Sequence, residues 1–405
     1  MQFARRVFRG LAAVTILAAL GVGVLSGALW LESRTEIALP QPTGGFAVGR
    51  TILDWTDDST PDALAPVPGT KRELLVWIWY PSAARPSVAA DDYLPAPMRE
   101  AAGPPRGPLR LVTRDPSRVH GHSVRDADVS PRQRSYPVAI LRAGASAGVA
   151  SYSTLAEDLA SHGYFVVGFD APYRTGVVVF PDGRVMRRTP ENNPELCRGQ
   201  EERERCANRL LAAWSADIAF VLDRLQALDA SDPSGRFTGR LDMTRVGVFG
   251  HSFGGATAAQ FCHDDARCKA GIDVDGAPHG NVIRDGIRQP FMFLLSDHGD
   301  SSDPESRQIV ADIQSIYGRL PPAGRFRIAI RGANHFLFSD DGALLKSDVI
   351  RGVLRLRGTL GIDGRRQLAV TAYCVRSFFD AYLDGAANPP LQIASPLYPE
   401  VQVLD

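Results

Sequence analysis

The chain has 405 residues, enough for one large domain or two. Its 45 basic and 45 acidic residues leave a formal net charge of zero, and 44% hydrophobic with 22% charged content is ordinary for a globular protein. Such a balance argues against nucleic acid as a partner, because no basic excess is present to match a polyanion.

Arg5, Arg6 and Arg9 precede an uncharged run over residues 10–31. As a helix that run reaches roughly 33 Å, enough to cross the hydrocarbon core of a bilayer. The basic flank predicts a cytoplasmic N-terminus, while Ser26-Gly27-Ala28 offers a small-residue cleavage site. Residues 1–34 therefore read as a signal anchor or a signal peptide, the anchor being preferred because the run is long. Either reading exports the remainder to the periplasmic or extracellular face, membrane-anchored or secreted.

Residues 46–53 and 73–80 are strand-like, the second run ended by Pro81. Residues 82–134 are rich in Pro, Gly, Arg and Asp and form a long excursion, a surface wrap or part of a substrate entrance. An alternation of strands and helices follows. Residues 136–141 and 164–170 are buried strands around a helix over 153–162, with Leu155, Leu159 and Ala160 on one face. Residues 171–203 are an irregular insertion, and 204–230 a long helix striped by Leu210, Leu211, Trp214, Ile218, Val221, Leu222 and Leu225. Short apolar strands recur at 269–274, 290–295 and 326–330, and 367–383 is a C-terminal helix. Strands separated by helices predict a mostly parallel central sheet with helices on both faces. Residues 35–405 read as one such domain.

Between the long helix and the strand at 269–274 lies Gly250-His251-Ser252-Phe253-Gly254-Gly255. It matches G-x-S-x-G, with an apolar strand before it and a small-residue helix after it. A strand, a sharp turn and a helix expose one serine hydroxyl at the top of a sheet, and the helix N-terminus offers N–H groups to a developing oxyanion. A serine nucleophile needs a base, and the base needs an orienting acid. His335 is the candidate base: it lies in a loop after a late strand, where the Ser…Asp…His order expects it. His251 is read as facing away from the serine, a packing residue. For the acid, Asp273 and Asp275 close the strand after the elbow helix, alternation putting them on one face, while Asp297 and Asp300 follow the next strand. The pattern alone leaves both strands open. Phe253 supplies one backbone N–H of an oxyanion hole, and the loop 143–148 the other.

Cys197 and Cys206 bracket one charged stretch and Cys262 and Cys268 another, so two local disulfides are the simplest framework, with Cys374 left free. A zinc site using His263 is the alternative, but no paired C-x-x-C spacing supports it. Acyl transfer requires no metal or organic cofactor.

Residues 250–257, 158–163 and 271–276 together resemble the platelet-activating-factor acetylhydrolase type of lipase-like α/β-hydrolase, over roughly 135–340. The resemblance implies the α/β-hydrolase fold. It implies Asp275, 23 residues past Ser252, as the acid, and Ala145 and Phe253 as oxyanion donors. One departure is Ala143-Gly144, where that family usually carries His-Gly. The expected function is an exported serine hydrolase of carboxylic esters, with short or oxidised acyl chains of lipids as substrates and the membrane as a partner if the N-terminal helix is uncleaved. The alternatives are a polyester or cutinase-like hydrolase, and a non-catalytic binding protein of the same fold at the membrane.

Overall fold

Runs of alternating and β-branched apolar residues form the centre of the molecule. A computed structural model of the chain describes residues 2–32, 34–85, 88–103, 114–193, 200–297, 303–344, 352, 361–385 and 396–404. Among these, ten strands form the main sheet: β1 (Ala47–Pro61), β2 (Lys71–Ser82), β3 (Ser123–Arg125), β4 (Tyr136–Arg142), β5 (Phe165–Asp170), β6 (Leu241–His251), β7 (Ala270–Val274), β8 (Phe291–Leu295), β9 (Arg325–Ile330) and β10 (Val401–Val403). Their order across the sheet is β10-β9-β8-β7-β6-β4-β5-β2-β1-β3. From β5 to β9 all neighbours are parallel, in register pairs such as Phe249 with Leu141 and Phe249 with Ile272. β2 pairs antiparallel with both β1 and β5. The fold is the α/β-hydrolase type.

The period of two along each strand divides the core between the two faces. Leu75, Trp77 and Trp79 of β2 pack with α2 (Ser153–Ser161) and α6 (Gly364–Tyr382) on one face. Leu74, Val76, Ile78 and Tyr80 pack with α3 (Gln200–Ala230), α4 (Phe253–Asp264) and α5 (Pro304–Tyr317) on the other. The long amino-terminal helix α1 (Gln2–Glu32) packs on neither: its segment Arg9–Glu32 is apolar, unburied and long enough to cross a membrane.

The sheet sets where a site can form. The chain runs from β4 outward to β5, then returns to place β6 on the other side of β4. Such a reversal opens a crevice beyond the carboxyl ends of the two central strands. The loop 143–148 leaves β4 there, and Ser252 leaves β6 beside it.

Several elements depart from expectation. The 82–134 excursion contributes β3, which adds to the sheet edge by pairing with Val48–Arg50. It also sends Tyr93 into the core and holds the buried Arg50 with Asp91 at 2.6 Å. The 171–203 insertion contains a hairpin of Val177–Val179 with Val185–Arg187, and α3 starts at Gln200 rather than 204. Cys262 and Cys268 are bonded as expected. The expected Cys197–Cys206 bond is not formed. Cys206 is a free buried thiol, turned by the helical period into the cluster of Leu210 and Trp214, while Cys197 lies outside the described residues. Cys374 is free and buried, as expected.

Candidate active site

Ser252 joins β6 to α4 with φ 57° and ψ −125°, a left-handed conformation costly for a residue with a side chain. The turn is so tight that glycine is required around it. A Cβ on Gly250 would lie 2.4 Å from the Gly254 carbonyl, and one on Gly254 would lie 2.4 Å from the carbonyl of Arg142 on β4. Phe253 opens α4, and in the first turn its N–H has no intrahelical acceptor.

His335 follows β9 in a short turn whose geometry is fixed from two sides. Asn334 Oδ1 accepts the Phe336 N–H at 3.0 Å. Gln367 of α6 grips the Asn334 backbone twice, accepting its N–H at 2.9 Å and donating to its carbonyl at 2.8 Å. The imidazole is thereby aimed so that Nε2 lies 3.2 Å from Ser252 Oγ and Nδ1 lies 2.7 Å from Asp275 Oδ2. The Asp275 side chain is fully buried, whereas that of His335 is 34% exposed, so the ring is open on its substrate side and sealed behind.

Asp275 lies one residue beyond β7 with φ 55°, so strand alternation does not extend to it. Its remaining acceptor capacity is met by Ser296, which follows β8: the N–H donates to Oδ1 and the hydroxyl to Oδ2, both at 2.7 Å. Asp273 is also fully buried but stands against α4, accepting the Gly276 N–H at 2.7 Å. Burial, assisted by the neighbouring Asp275 charge, pushes its carboxyl up to about 8. At neutral pH it is therefore mainly protonated. Asp297 is exposed and faces away from this chain of bonds. It accepts the Gly332 N–H at 2.9 Å, tethering the loop that leads to His335. Asp300 lies outside the described residues.

His251 is buried with its ring centroid 4.6 Å from that of His335. Burial, with the His335 charge second, pushes its pKa down to about 3, so it stays neutral. Across the crevice, a Cβ on Gly144 would stand 3.4 Å from Ser252 Cβ, which puts the loop after β4 directly over the serine. The Gly144 N–H is taken by Tyr152 Oη at 3.1 Å; Ala145, the next residue, is half-buried and packs on the cluster that contains Phe253. That cluster is an apolar wall of Leu210, Leu211 and Trp214 from α3, with Trp214 edge-on to Phe253 at 5.0 Å. Behind it, Arg174 is buried between Asp62 at 2.9 Å and Asp217 at 2.7 Å, so the insertion, the loop after β1 and α3 are bound by one ionic junction.

Among the described residues no group of three or more His, Cys, Asp and Glu is arranged to hold a metal ion. The arrangement can move a proton from a hydroxyl to an imidazole backed by a buried carboxylate, beside backbone donors and an apolar wall. Sequence reasoning missed Ser296, Gln367 and Tyr152. Ser296 had one usable signal, a hydroxyl residue immediately after the strand next to that of Asp275.

The comparisons with known proteins agree with one another. A sequence profile of platelet-activating factor acetylhydrolase, isoform II, matches residues 32–388. A probable 1-alkyl-2-acetylglycerophosphocholine esterase of Arthroderma benhamiae is 25% identical over 96% of this chain and 99% of its own length. The platelet-activating factor acetylhydrolase of Cavia porcellus is 27% identical, the match spanning 61% of this chain and 58% of that protein. The structure of a ferulic acid esterase from Streptomyces cinnamoneus is 27% identical with a TM-score of 0.74, over 91% of this chain and 99% of that one.

Proposed function

Because the chain belongs to the platelet-activating factor acetylhydrolase, isoform II, family and is an ester hydrolase, we propose that it is an exported enzyme cleaving short or oxidised acyl esters of lipids through a Ser252–His335–Asp275 acyl-enzyme mechanism. Ser252 Oγ attacks the ester carbonyl as His335 Nε2 takes its proton. Asp275 holds the ring and stabilises the imidazolium. The N–H groups of Ala145 and Phe253 receive the oxyanion. His335 then protonates the leaving alkoxide, and the acyl group stays on Ser252. A water, deprotonated by the same imidazole, releases the acid and restores the serine.

The observation that carries this reading is the unbroken chain from Ser252 Oγ through His335 to Asp275, at 3.2 and 2.7 Å, with the serine held in the left-handed turn. The apolar cluster that holds Trp214, Phe253 and Ala145 next to the serine supports an uncharged acyl group there. The Arthroderma benhamiae relative, by name a probable 1-alkyl-2-acetylglycerophosphocholine esterase, supports a short acyl ester of a lipid as substrate. The apolar helix α1 and the Cys262–Cys268 bond support export.

A panel of esters tests the substrate class: 2-acetyl, 2-butyryl, oxidatively truncated and 2-palmitoyl glycerophosphocholines, with methyl ferulate added because of the ferulic acid esterase likeness. The expected order places acetyl, butyryl and truncated chains well above palmitoyl. A preference for palmitoyl contradicts the short-acyl reading, and a preference for ferulate transfers the assignment to aromatic acid esters.

A further inference from the structure

Tyr152 is used by nothing in the mechanism above, yet its hydroxyl sits where three site segments meet. The residue is buried in the short turn Val149–Tyr152 that leads into α2. Its oxygen accepts the Gly144 N–H at 3.1 Å and stands 2.8 Å from His251 Nδ1. A phenol has one proton, and the Gly144 N–H can only donate. With its proton still to give, the Tyr152 hydroxyl donates to His251 Nδ1 in the tautomer that carries the His251 proton on Nε2. The neutrality this requires fits the buried setting of His251, whose pKa lies far below neutrality. One hydroxyl thus joins the loop after β4 to the residue preceding Ser252.

The third connection runs through Asp340, five residues beyond His335. Its carboxylate is fully buried and accepts the N–H groups of Ser153 at 2.9 Å and Thr154 at 3.1 Å. Its own N–H donates to the Ser151 carbonyl at 2.6 Å. The segment 151–154 that carries Tyr152 is thereby fastened to the His335 loop. Gly144 is the point of closest approach: a Cβ there would lie 3.4 Å from Ser252 Cβ, His251 Nδ1 and Tyr152 Oη alike. Residue 143 is alanine, so no side chain there can supply a polar tie for this loop.

We propose that Tyr152 is a positioning residue for ester hydrolysis: by holding Gly144 against His251 it fixes the direction of the adjacent Ala145 N–H over Ser252. This rests on the serine mechanism proposed above. Losing the hydroxyl leaves the Ala145 donor in place but misdirected. The cost falls on the tetrahedral state rather than on ground-state binding, because the oxyanion is where that donor acts.

The test compares Tyr152→Phe with wild type on a soluble acetyl ester, with Ser252→Ala alongside. The competent fraction of each preparation is counted by stoichiometric phosphonylation, and thermal melting reports folding. The expected result is a loss in kcat per competent site of about tenfold or more, below the 10²–10³ of deleting a donor outright. KM should stay within about twofold, and a trifluoromethyl ketone should weaken by the same factor as kcat/KM. Unchanged kcat per competent site overturns the inference. So does a loss that appears only as a smaller competent fraction, which marks a folding role. Should Tyr152→Phe not fold, His251→Phe reads the same link by removing the acceptor at similar volume; a severalfold loss in kcat is expected, and none overturns the inference. Turnover retained by Ser252→Ala would instead bring down the serine mechanism itself.

Discussion

Replacing Asp275 with asparagine should cost about four orders of magnitude in kcat, and the structure says why. The two carboxylate oxygens have different tasks: Oδ1 accepts the Ser296 N–H at 2.7 Å, and Oδ2 accepts His335 Nδ1–H and the Ser296 hydroxyl, each at 2.7 Å. A backbone N–H cannot turn round, so the asparagine carbonyl must stay with Ser296 N. The amide NH₂ then faces His335, where two donors cannot share one bond. His335 must present an unprotonated Nδ1, which moves its proton to Nε2, 3.2 Å from Ser252 Oγ, and abolishes its capacity as a base. Holding the ring in the wrong tautomer costs about 10⁴ in kcat in serine hydrolases of this kind, or about 5.5 kcal/mol. Asp297→Asn is the matched control. Its amide oxygen can still accept the Gly332 N–H, and the site is exposed, so activity should stay within about threefold. Both variants are to be compared by kcat and KM on one soluble acetyl ester near neutral pH, with melting curves to establish folding. If Asp297→Asn is the crippled variant, or Asp275→Asn keeps more than about a tenth of wild-type turnover, the tautomer argument is wrong.

Other consequences are open to measurement. His335→Ala should abolish turnover to about the extent that loss of Ser252 does, because the members act as a unit; a loss under about tenfold would indicate another base. Asp273, pushed up to about 8 by burial, binds its proton in the folded state across a range where the unfolded carboxyl, near 3.9, has lost it. Stability therefore falls as pH rises through that window, by up to about 1.4 kcal/mol per unit, with Asp170 and Asp340 near 7 adding in the same direction. Asp273→Asn should flatten the decline in melting temperature between about pH 5 and 8, and identical slopes for the two proteins would contradict the assignment. Arg174→Met strands Asp62 and Asp217 in the interior and should destabilise by about 3–5 kcal/mol in denaturant titration, whereas a loss under about 1 kcal/mol would mean that the junction is hydrated or relaxes.

The sequence disclosed the elements whose physics is local. The elbow is legible because a turn in which a Cβ on Gly250 or Gly254 would lie 2.4 Å from other backbone atoms demands glycine at both. β4, β5, β7 and β8 are legible because central parallel strands are apolar on both faces, and β9 because Phe326, Ile328 and Ile330 alternate on its buried face. Edge strands are less so. The outer end of β1, Asp58-Ser59-Thr60-Pro61, is exposed and rich in turn-forming residues, and β10 is only Val401-Gln402-Val403, too short for a period to show, so nothing in their composition separates them from loops. The choice between Asp275 and Asp297 could not be read from pattern, because it depends on the direction in which a residue beyond the strand end turns; φ 55° at Asp275 is a tertiary outcome. Ser296 and Tyr152 were invisible for a related reason. Each matters through a neighbour distant in the chain, and only the sheet order brings Ser296 to Asp275 or Tyr152 to His251. Cys206 was misassigned because spacing suggested a loop pair where the chain begins a helix that turns the thiol inward.

The central claim is that Ser252 carries the acyl group. The most direct measurement is to quench the enzyme during turnover of an activated acetyl ester, digest it, and locate the added acetyl mass by tandem mass spectrometry. The account predicts acetylation on the peptide containing Gly250-His251-Ser252-Phe253, assigned to Ser252 and absent in Ser252→Ala. Acetyl found only on another residue, or full turnover by Ser252→Ala, would contradict it.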